Sequence, residues 1–308
     1  MILCCGEALI DMLPRETTLG EKGFAPYAGG AIFNTAIALG RLGTSTGFFT
    51  GLSDDMMGDI LRETLTSSGV DSSFAAVSSR PTTIAFVKLV NGQATYAFYD
   101  EATAGRMLDV SDLPTLDESC NALHFGAISL IPEPCGSAYE ALLLREAETR
   151  VISLDPNIRP GFIKDAAAHA ARIRRMAAKA DIIKFSDEDL AWFGKTGDEA
   201  TLAQEWLQHG AKLVLITRGA EGATGYTAEH TVSVPVVPVQ VVDTVGAGDT
   251  FDAGVLAALD RKDLLTKSAI ATLGAADIED ALTWGVKAAA VTVSRAGANP
   301  PFAGEIGF

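Results

Sequence analysis

At 308 residues the chain is long enough for one large α/β domain with an appendage or for two domains, and a content of 48% apolar and 20% charged residues excludes a disordered or fibrous protein. A formal charge of -15 with no basic run opposes nucleic-acid binding, so a phosphate-bearing ligand has to be held locally. Cys4, Cys5, Cys120 and Cys135 form no C-x-x-C pair and the four histidines supply no metal-ligand spacing, which fits small core cysteines in a reduced, cytosolic setting.

The N-terminal run MILCCGEALIDML lacks the basic start of a signal peptide and is broken by Glu7 and Asp11, so it reads as a first strand. No apolar run reaches the roughly 18–20 residues of a membrane span. Residues 11 to 28 are rich in Gly, Pro and Thr without helical periodicity and are expected to add strands to a small sheet. In YAGGAIFNTAIALGRLG the pair Gly29-Gly30 precedes a helix from Ala31 to Leu42, with Asn34 on its first turn. Glycines let a ligand approach the backbone and Asn34 both donates to and accepts from a hydroxyl, which suits a polyol; an ordinary helix start with a solvated Asn34 is the other reading.

Short apolar runs at TGFFTG, ALHFGAI, VISLD, DIIKF and LVLIT alternate with helical patterns, which predicts βα units around a mainly parallel sheet whose ligands sit beyond the carboxyl ends of the strands. Residues 82 to 100 break this rhythm with two alternating segments joined across Asn91-Gly92, a pair suited to a type I′ turn. Apolar side chains fall on both faces of this hairpin, Ile84 and Phe86 on one and Val87 and Leu89 on the other, so it is expected to cover something. His124 lies inside an apolar strand, where a hydrogen-bonded core histidine is expected. Asp155, Asn157 and Arg159 follow the strand Val151 to Leu154 at the ligand edge, although Asp-Pro-Asn is also a common turn. An Ala-rich helix from Ala166 to Ala180 comes next.

Beyond the following strand, Asp187, Glu188 and Asp189 form an acidic group able to hold hydrated Mg²⁺, or a solvated helix start. ITRGAEGA ends another strand at Thr217 with Gly219 and Gly222, suited to a nucleotide or to a plain turn. In VVPVQVVDTVGAGDTFDAGVLAAL a strand is expected to end near Asp243, and Phe251, Val255 and Leu259 then recur at helical spacing. Gly246, Ala247 and Gly248 therefore lie at a helix N-terminus, where free amides and the helix dipole attract an anion. Asp249, one turn in, is placed to accept a proton from a hydroxyl attacking phosphate; the plain alternative is a glycine turn with Asp249 complementing its own helix dipole. A dinucleotide fingerprint fails because Phe251 stands where glycine is required, and no G-x-x-x-x-G-K-[ST] occurs.

The two glycine motifs, in this order and about 215 residues apart, resemble the signatures of the PfkB (ribokinase-like) family of carbohydrate kinases from GEALID to SRAGA. The resemblance implies a single three-layer α/β/α kinase domain over residues 1–308, its sheet mainly parallel, with a discontinuous β lid from about residues 11–28 and 82–104. It implies ATP as phosphate donor, Mg²⁺, and in some members a monovalent cation such as K⁺ beside Asp243 and the Val245 carbonyl. Carried across, Asp249 is the catalytic base and Gly246, Ala247 and Gly248 the anion hole. Asp11, Gly29, Gly30, Asn34, Tyr99 and Arg159 become sugar-side residues, and Ser186, Thr217, Gly219 and Gly222 border the nucleotide. The family's N-x-x-E motif reads Ser186-Asp187-Glu188-Asp189 here, which leaves open which acid organises Mg²⁺.

Within the family, LHFGAISLIPEP, DPNIRP and YAFYDEATAGRML are most similar to bacterial fructokinases. A 2-keto-3-deoxygluconate kinase is the alternative; those relatives typically present an Arg at about the place of Asp100. Another sugar or nucleoside kinase, or a sensor that binds without catalysis, stands further off. The partners implied are a small sugar and ATP, without nucleic acid or membrane, and a second copy of the chain across the lid.

Overall fold

The computed structural model describes residues 1–90, 93–194 and 198–308. The strands in chain order are β1 (Ile2–Cys5), β2 (Leu9–Glu16), β3 (Lys22–Gly29), β4 (Thr46–Phe49), β5 (Gly51–Ser53), β6 (Val70–Asp71), β7 (Ala76–Ser78), β8 (Ile84–Val90), β9 (Gln93–Tyr99), β10 (Ala122–Gly126), β11 (Val151–Asp155), β12 (Ile182–Ser186), β13 (Leu213–Thr217), β14 (Ala223–Tyr226) and β15 (Thr231–Val234). The helices are α1 (Ala31–Arg41), α2 (Met56–Ser67), α3 (Cys135–Glu146), α4 (Ala166–Ala177), α5 (Asp187–Trp192), α6 (Glu199–Gln208), α7 (Ala247–Arg261), α8 (Lys267–Ile270), α9 (Ala275–Val293) and α10 (Ala303–Ile306).

A nine-stranded sheet runs β15-β14-β13-β12-β11-β10-β1-β4-β6, parallel except where β14 and β15 join antiparallel at one edge. Its inner strands are buried on both faces, which is why they read as unbroken apolar runs. The strand pleat sends alternate residues to opposite layers. Ile2 and Cys4 of β1 join the core shared with α1, α7 and α9, whereas Leu3 and Cys5 join the one shared with α3, α4 and α6. The result is the expected three-layer α/β/α arrangement.

Small residues let α7 and α9 approach closely. A Cβ on Gly254 would stand 2.7 Å from the Trp284 carbonyl oxygen, and one on Gly285 would stand 2.8 Å from the Phe251 ring. A side chain at either place would push apart the helix pair that carries Asp249.

The smaller sheet, in the order β3-β2-β8-β9, draws its strands from both sides of α1 and α2, as expected for residues 11 to 28 and the 82–100 hairpin. The expected type I′ turn at Asn91-Gly92 lies outside the described residues. One expectation fails: no strand leads into Asp243. Residues 235–245 join no sheet, and the amides of Val242 and Asp243 donate instead to the Val293 carbonyl at the end of α9. Alternating valines and prolines imitate a strand, but Pro235 and Pro238 lack ladder donors. All four cysteines are free and buried, and among the described residues no helix is long and apolar enough to cross a membrane.

Candidate active site

The carboxyl ends of β1, β10, β11, β12 and β13 open on one edge of the large sheet, and the chain leaves β1 in the two directions at that edge, a topological switch point. Helices α1 and α7 start there. Gly246 adopts the left-handed conformation (φ 77°) that glycine favours and turns the chain into α7; among the described residues no side chain caps this turn. The Ala247 amide is engaged by the Thr244 carbonyl at 3.3 Å, which leaves the Gly248 and Asp249 amides as the first-turn donors aimed along the helix axis.

Asn34 and Asp249 meet. The Asn34 Nδ2 donates to Asp249 Oδ2 at 2.9 Å, and the Thr35 hydroxyl donates to the Asp249 carbonyl at 3.2 Å. Two helix starts separated by 215 residues are thereby locked together, and Asn34 is buried rather than solvated. Burial pushes the Asp249 carboxyl up to about 6; the Asn34 bond opposes this, Asp155 adds to it, and Lys184 and Arg159 pull the other way.

On the side expected to take the sugar, Gly29 and Gly30 join β3 to α1. A Cβ on Gly29 would stand 2.5 Å from Asp11 Oδ2, so the Asp11 carboxylate lies against the glycine backbone, and burial pushes it up to about 6. Sequence reasoning missed Glu7 as a site residue. Its Oε1 accepts from the Ala31 amide at 2.8 Å and its Oε2 from the Ser129 amide at 3.3 Å, which ties the start of α1 to the end of β10. Burial lifts its carboxyl to about 7. The available signal was an acid between two apolar strands.

Tyr99 departs from expectation. In the small sheet Tyr99 pairs with Ile84 and Ile84 with Ile10, whereas Asp11 pairs with Ala85 and Ala85 with Phe98. Tyr99 thus lies on the opposite face from Asp11, 62% exposed, in a row with Phe86 and Phe24. Phe98 takes the inner face, packed at 4.6 Å on Phe162 beside the Arg159 loop. With a period of two, a one-residue error moves a side chain across the sheet. Asp100 neither faces solvent alone nor presents a bare charge, because Arg106 Nη1 grips both its oxygens at 3.1 Å.

Under the α7 turn lies a buried charge cluster that the sequence did not disclose. Lys184 Nζ pairs with Asp155 Oδ2 at 3.0 Å, and a Cβ on Gly248 would stand 3.0 Å from that ammonium. Burial would lower the Lys184 pKa, but its acidic neighbours, Asp155 foremost, outweigh it and hold it raised. Arg159 is exposed, its Nη1 donating to the Ile158 carbonyl at 3.0 Å.

The three acids of α5 do not come together. Asp187 and Glu188 are exposed, while Asp189 is buried and committed. Its Oδ1 accepts from the Ile158 amide at 2.6 Å, and its Oδ2 accepts from the Ser186 amide at 2.8 Å and hydroxyl at 2.7 Å. Ser186-x-x-Asp189 is therefore a capping box, the physical content of the departure from N-x-x-E. Among the described residues no group of three His, Cys, Asp or Glu side chains is arranged to hold a metal.

Thr217 ends β13 with its hydroxyl donating to the Phe185 carbonyl at 3.5 Å, and Gly219 and Gly222 follow with positive φ in the turn to β14. Asp243 braces the chain before α7: its Oδ1 accepts from the Val245 amide at 3.1 Å and its Oδ2 from the Gly297 amide at 2.9 Å. His124 is a core residue, hydrogen-bonded through Nδ1 to the Ser153 hydroxyl at 3.0 Å and lowered by burial to about 3.

The family model described as pfkB family carbohydrate kinase matches residues 1–303. The chain is 74% identical over 273 residues to a fructokinase of Rhizobium leguminosarum bv. trifolii, covering 89% of this chain and 84% of that protein. The crystal structure of a fructokinase with bound ATP from Xylella fastidiosa superposes with a TM-score of 0.89 at 30% identity, covering 99% of this chain and 96% of that one. A double mutant of the fructokinase from Vibrio cholerae O395, in a form bound to fructose, ADP and potassium ion, superposes with a TM-score of 0.83 at 27% identity over 96% of this chain and 93% of that one.

Proposed function

The chain belongs to the pfkB family of carbohydrate kinases, and from that premise we propose how it transfers the γ-phosphoryl group of ATP to a hydroxyl of fructose. The observation that carries this reading is the Asn34–Asp249 bond, which sets the polyol-binding helix start against the anion-binding one. Asp249 takes the proton from the attacking hydroxyl as the new O–P bond forms. The bond between the γ-phosphorus and the bridging oxygen breaks, and ADP leaves with its electron pair. The Gly248 and Asp249 amides and the α7 dipole face the charge on the transferred group. Asp11, Asn34 and the backbone at Gly29 and Gly30 hold the sugar hydroxyls, with Arg159 near the phosphates and Ser186, Thr217, Gly219 and Gly222 bordering the nucleotide. A sensor that only binds has no use for the buried acid Asp249.

Among the described residues no three His, Cys, Asp or Glu side chains form a metal cage, so Mg²⁺, which would offset charge on the nucleotide phosphates, would be held by those phosphates, with Asp187 and Glu188 reaching it through water. Asp243 and the Val245 carbonyl are proposed for a monovalent cation, supported by the bracing of that segment onto Gly297. The free, buried cysteines suit the cytoplasm.

The expected sugar preference rests on charge. Arg106, the cation beside Asp100, is already committed to it, which leaves Arg159 for a substrate carboxylate such as that of 2-keto-3-deoxygluconate, whereas fructose needs only hydroxyl partners. Fructose is expected to exceed the acid sugar in kcat/KM at least about tenfold, a gap of about 1.4 kcal/mol in transition-state binding. Side-by-side assays with ATP check this, and the acid sugar winning would overturn the choice of fructose.

The outer face of the small sheet carries Phe24, Phe86 and Tyr99 in edge contact, with Phe24 49% exposed. We propose a second copy of the chain as its partner, since apolar rows of this kind mark contact surfaces. Phe86→Asp is expected to convert a dimer to monomer in sedimentation velocity at micromolar concentration. A wild type already monomeric there would remove the dimer and leave the kinase reading untouched.

A further inference from the structure

The phosphoryl-transfer reading gives no task to Asp252, the second acid of DTFDAG. It sits one helical turn after Asp249 on α7, only 3% exposed, and its Oδ2 has no hydrogen-bond partner. A carboxyl group this deeply buried is costly to ionise unless it is well paired. Asp252 is in side-chain hydrogen-bond contact with Asp155. Two carboxyl groups in such contact share a proton, because both cannot ionise at that separation in a dry site. Asp155 is already bound to the Lys184 ammonium, so the proton belongs on Asp252. The cluster then contains a neutral Asp252 beside the Asp155–Lys184 ion pair.

We propose that Asp252 is a positioning residue for phosphoryl transfer: as a neutral acid it donates a hydrogen bond to Asp155 and so holds the Lys184 ammonium beneath the Gly248 backbone, beside Asp249. This rests on the reading of Asp249 as base. Lys184 approaches from β12, Asp155 from β11 and Asp252 from α7, so each fixes a group on a different element. With Asp252 hydrogen-bonded to it, Asp155 cannot swing away, and the ammonium stays under the turn where charge develops on the phosphoryl group. Burial, reinforced by Asp155, raises Asp252 well above the ordinary carboxyl range, in keeping with a proton that stays on it. The other titratable or charged groups facing the cluster are Cys4 on β1, His124 on β10, Asp189 on α5 and Arg159 on the loop after β11.

Asp252→Val keeps the approximate shape and removes the hydrogen bond, whereas Asp252→Asn keeps an N–H to donate. Asp252→Val is expected to lose kcat roughly 10- to 100-fold, the range for losing a group that orients an active-site residue, with the fructose KM within about threefold of wild type. The acid limb of its kcat profile is expected to move to higher pH, because a displaced Lys184 no longer favours ionised Asp249. Asp252→Asn is expected to recover most of that loss.

Infrared difference spectra at pH above about 8, where Asp11, Asp249 and Glu7 are ionised, provide a readout that needs no turnover. A carboxylic-acid carbonyl band is expected in wild type and in Asp249→Asn, and is expected to vanish in Asp252→Asn. No such band in wild type overturns the proposal, as does Asp252→Val with wild-type kcat and limb, or Asp252→Asn losing as much as Asp252→Val. If instead Asp249→Asn stays active, the base assignment fails while the infrared result still decides the protonation of Asp252.

Discussion

Asp249→Asn is expected to lower kcat roughly 10²- to 10⁴-fold, the range for removing a general base, while ATP affinity and the fold are kept. The amide preserves the acceptor for the Asn34 Nδ2 bond but cannot take a proton. More than half of wild-type turnover in this variant would sink the assignment. The same buried carboxyl sets a pH dependence: with Asp249 at about 6 in the folded protein, kcat/KM is expected to fall about tenfold per pH unit below that value. Asp11, raised by its own burial to about 6, titrates over the same range, so the limb reports both groups.

Stability moves the other way. The folded-state pKa of Asp249 is raised from 3.8, so its contribution is fully present below pH 3.8 and is lost as pH climbs through about 6. Asp249→Asn removes that penalty and is expected to be more stable than wild type at pH 7.5, by on the order of 2–3 kcal/mol, and no more stable below about pH 4. Denaturant titrations at the two pH values check the sign. A variant that is dead and more stable at neutral pH distinguishes a strained functional acid from a structural one.

Gly30→Ala is expected to destabilise the fold by about 3–5 kcal/mol, combining strain at a positive φ with overpacking. Gly30 has φ 112°, and a Cβ there would stand 2.8 Å from the Glu7 carbonyl oxygen, a backbone atom that cannot retreat. Because Glu7 also holds the Ala31 amide, relief of the clash displaces the start of α1 and with it Asn34. A raised fructose KM is therefore expected in whatever fraction folds, measured beside urea unfolding. Unchanged stability and KM would show that the Gly30 turn is neither strained nor coupled to the sugar site.

The layers were legible because parallel strands buried on both faces have no polar alternation to confuse them, and the glycine turns were legible because few residues tolerate such backbone. Register was harder to see. Placing Tyr99 at the sugar required knowing which parity of β9 faces Asp11, and the pairing is fixed by the distant strand β8 rather than by the residues of β9. Asp189 looked like a metal ligand because its acidity is local information, whereas its commitment to the Ile158 amide is a tertiary contact. Glu7, Lys184 and Asp252 were hidden for the same reason. An acid or a lysine in an apolar run has no visible partner until segments 24 or more residues apart are laid side by side.

The Asn34–Asp249 bond has a consequence in time as well as in space. At synthesis rates of about 5–20 residues per second, roughly 10–40 s separate the emergence of Asn34 from that of Asp249. Throughout that interval the growing chain has the proposed sugar-binding half without the proposed base, so a ribosome-bound fragment short of α7 is expected to turn over no nucleotide. The side of α1 that later meets α7, marked by Asn34 and Thr35, stays uncovered over the same period, which makes it a surface that a chaperone at the ribosome exit would be expected to hold.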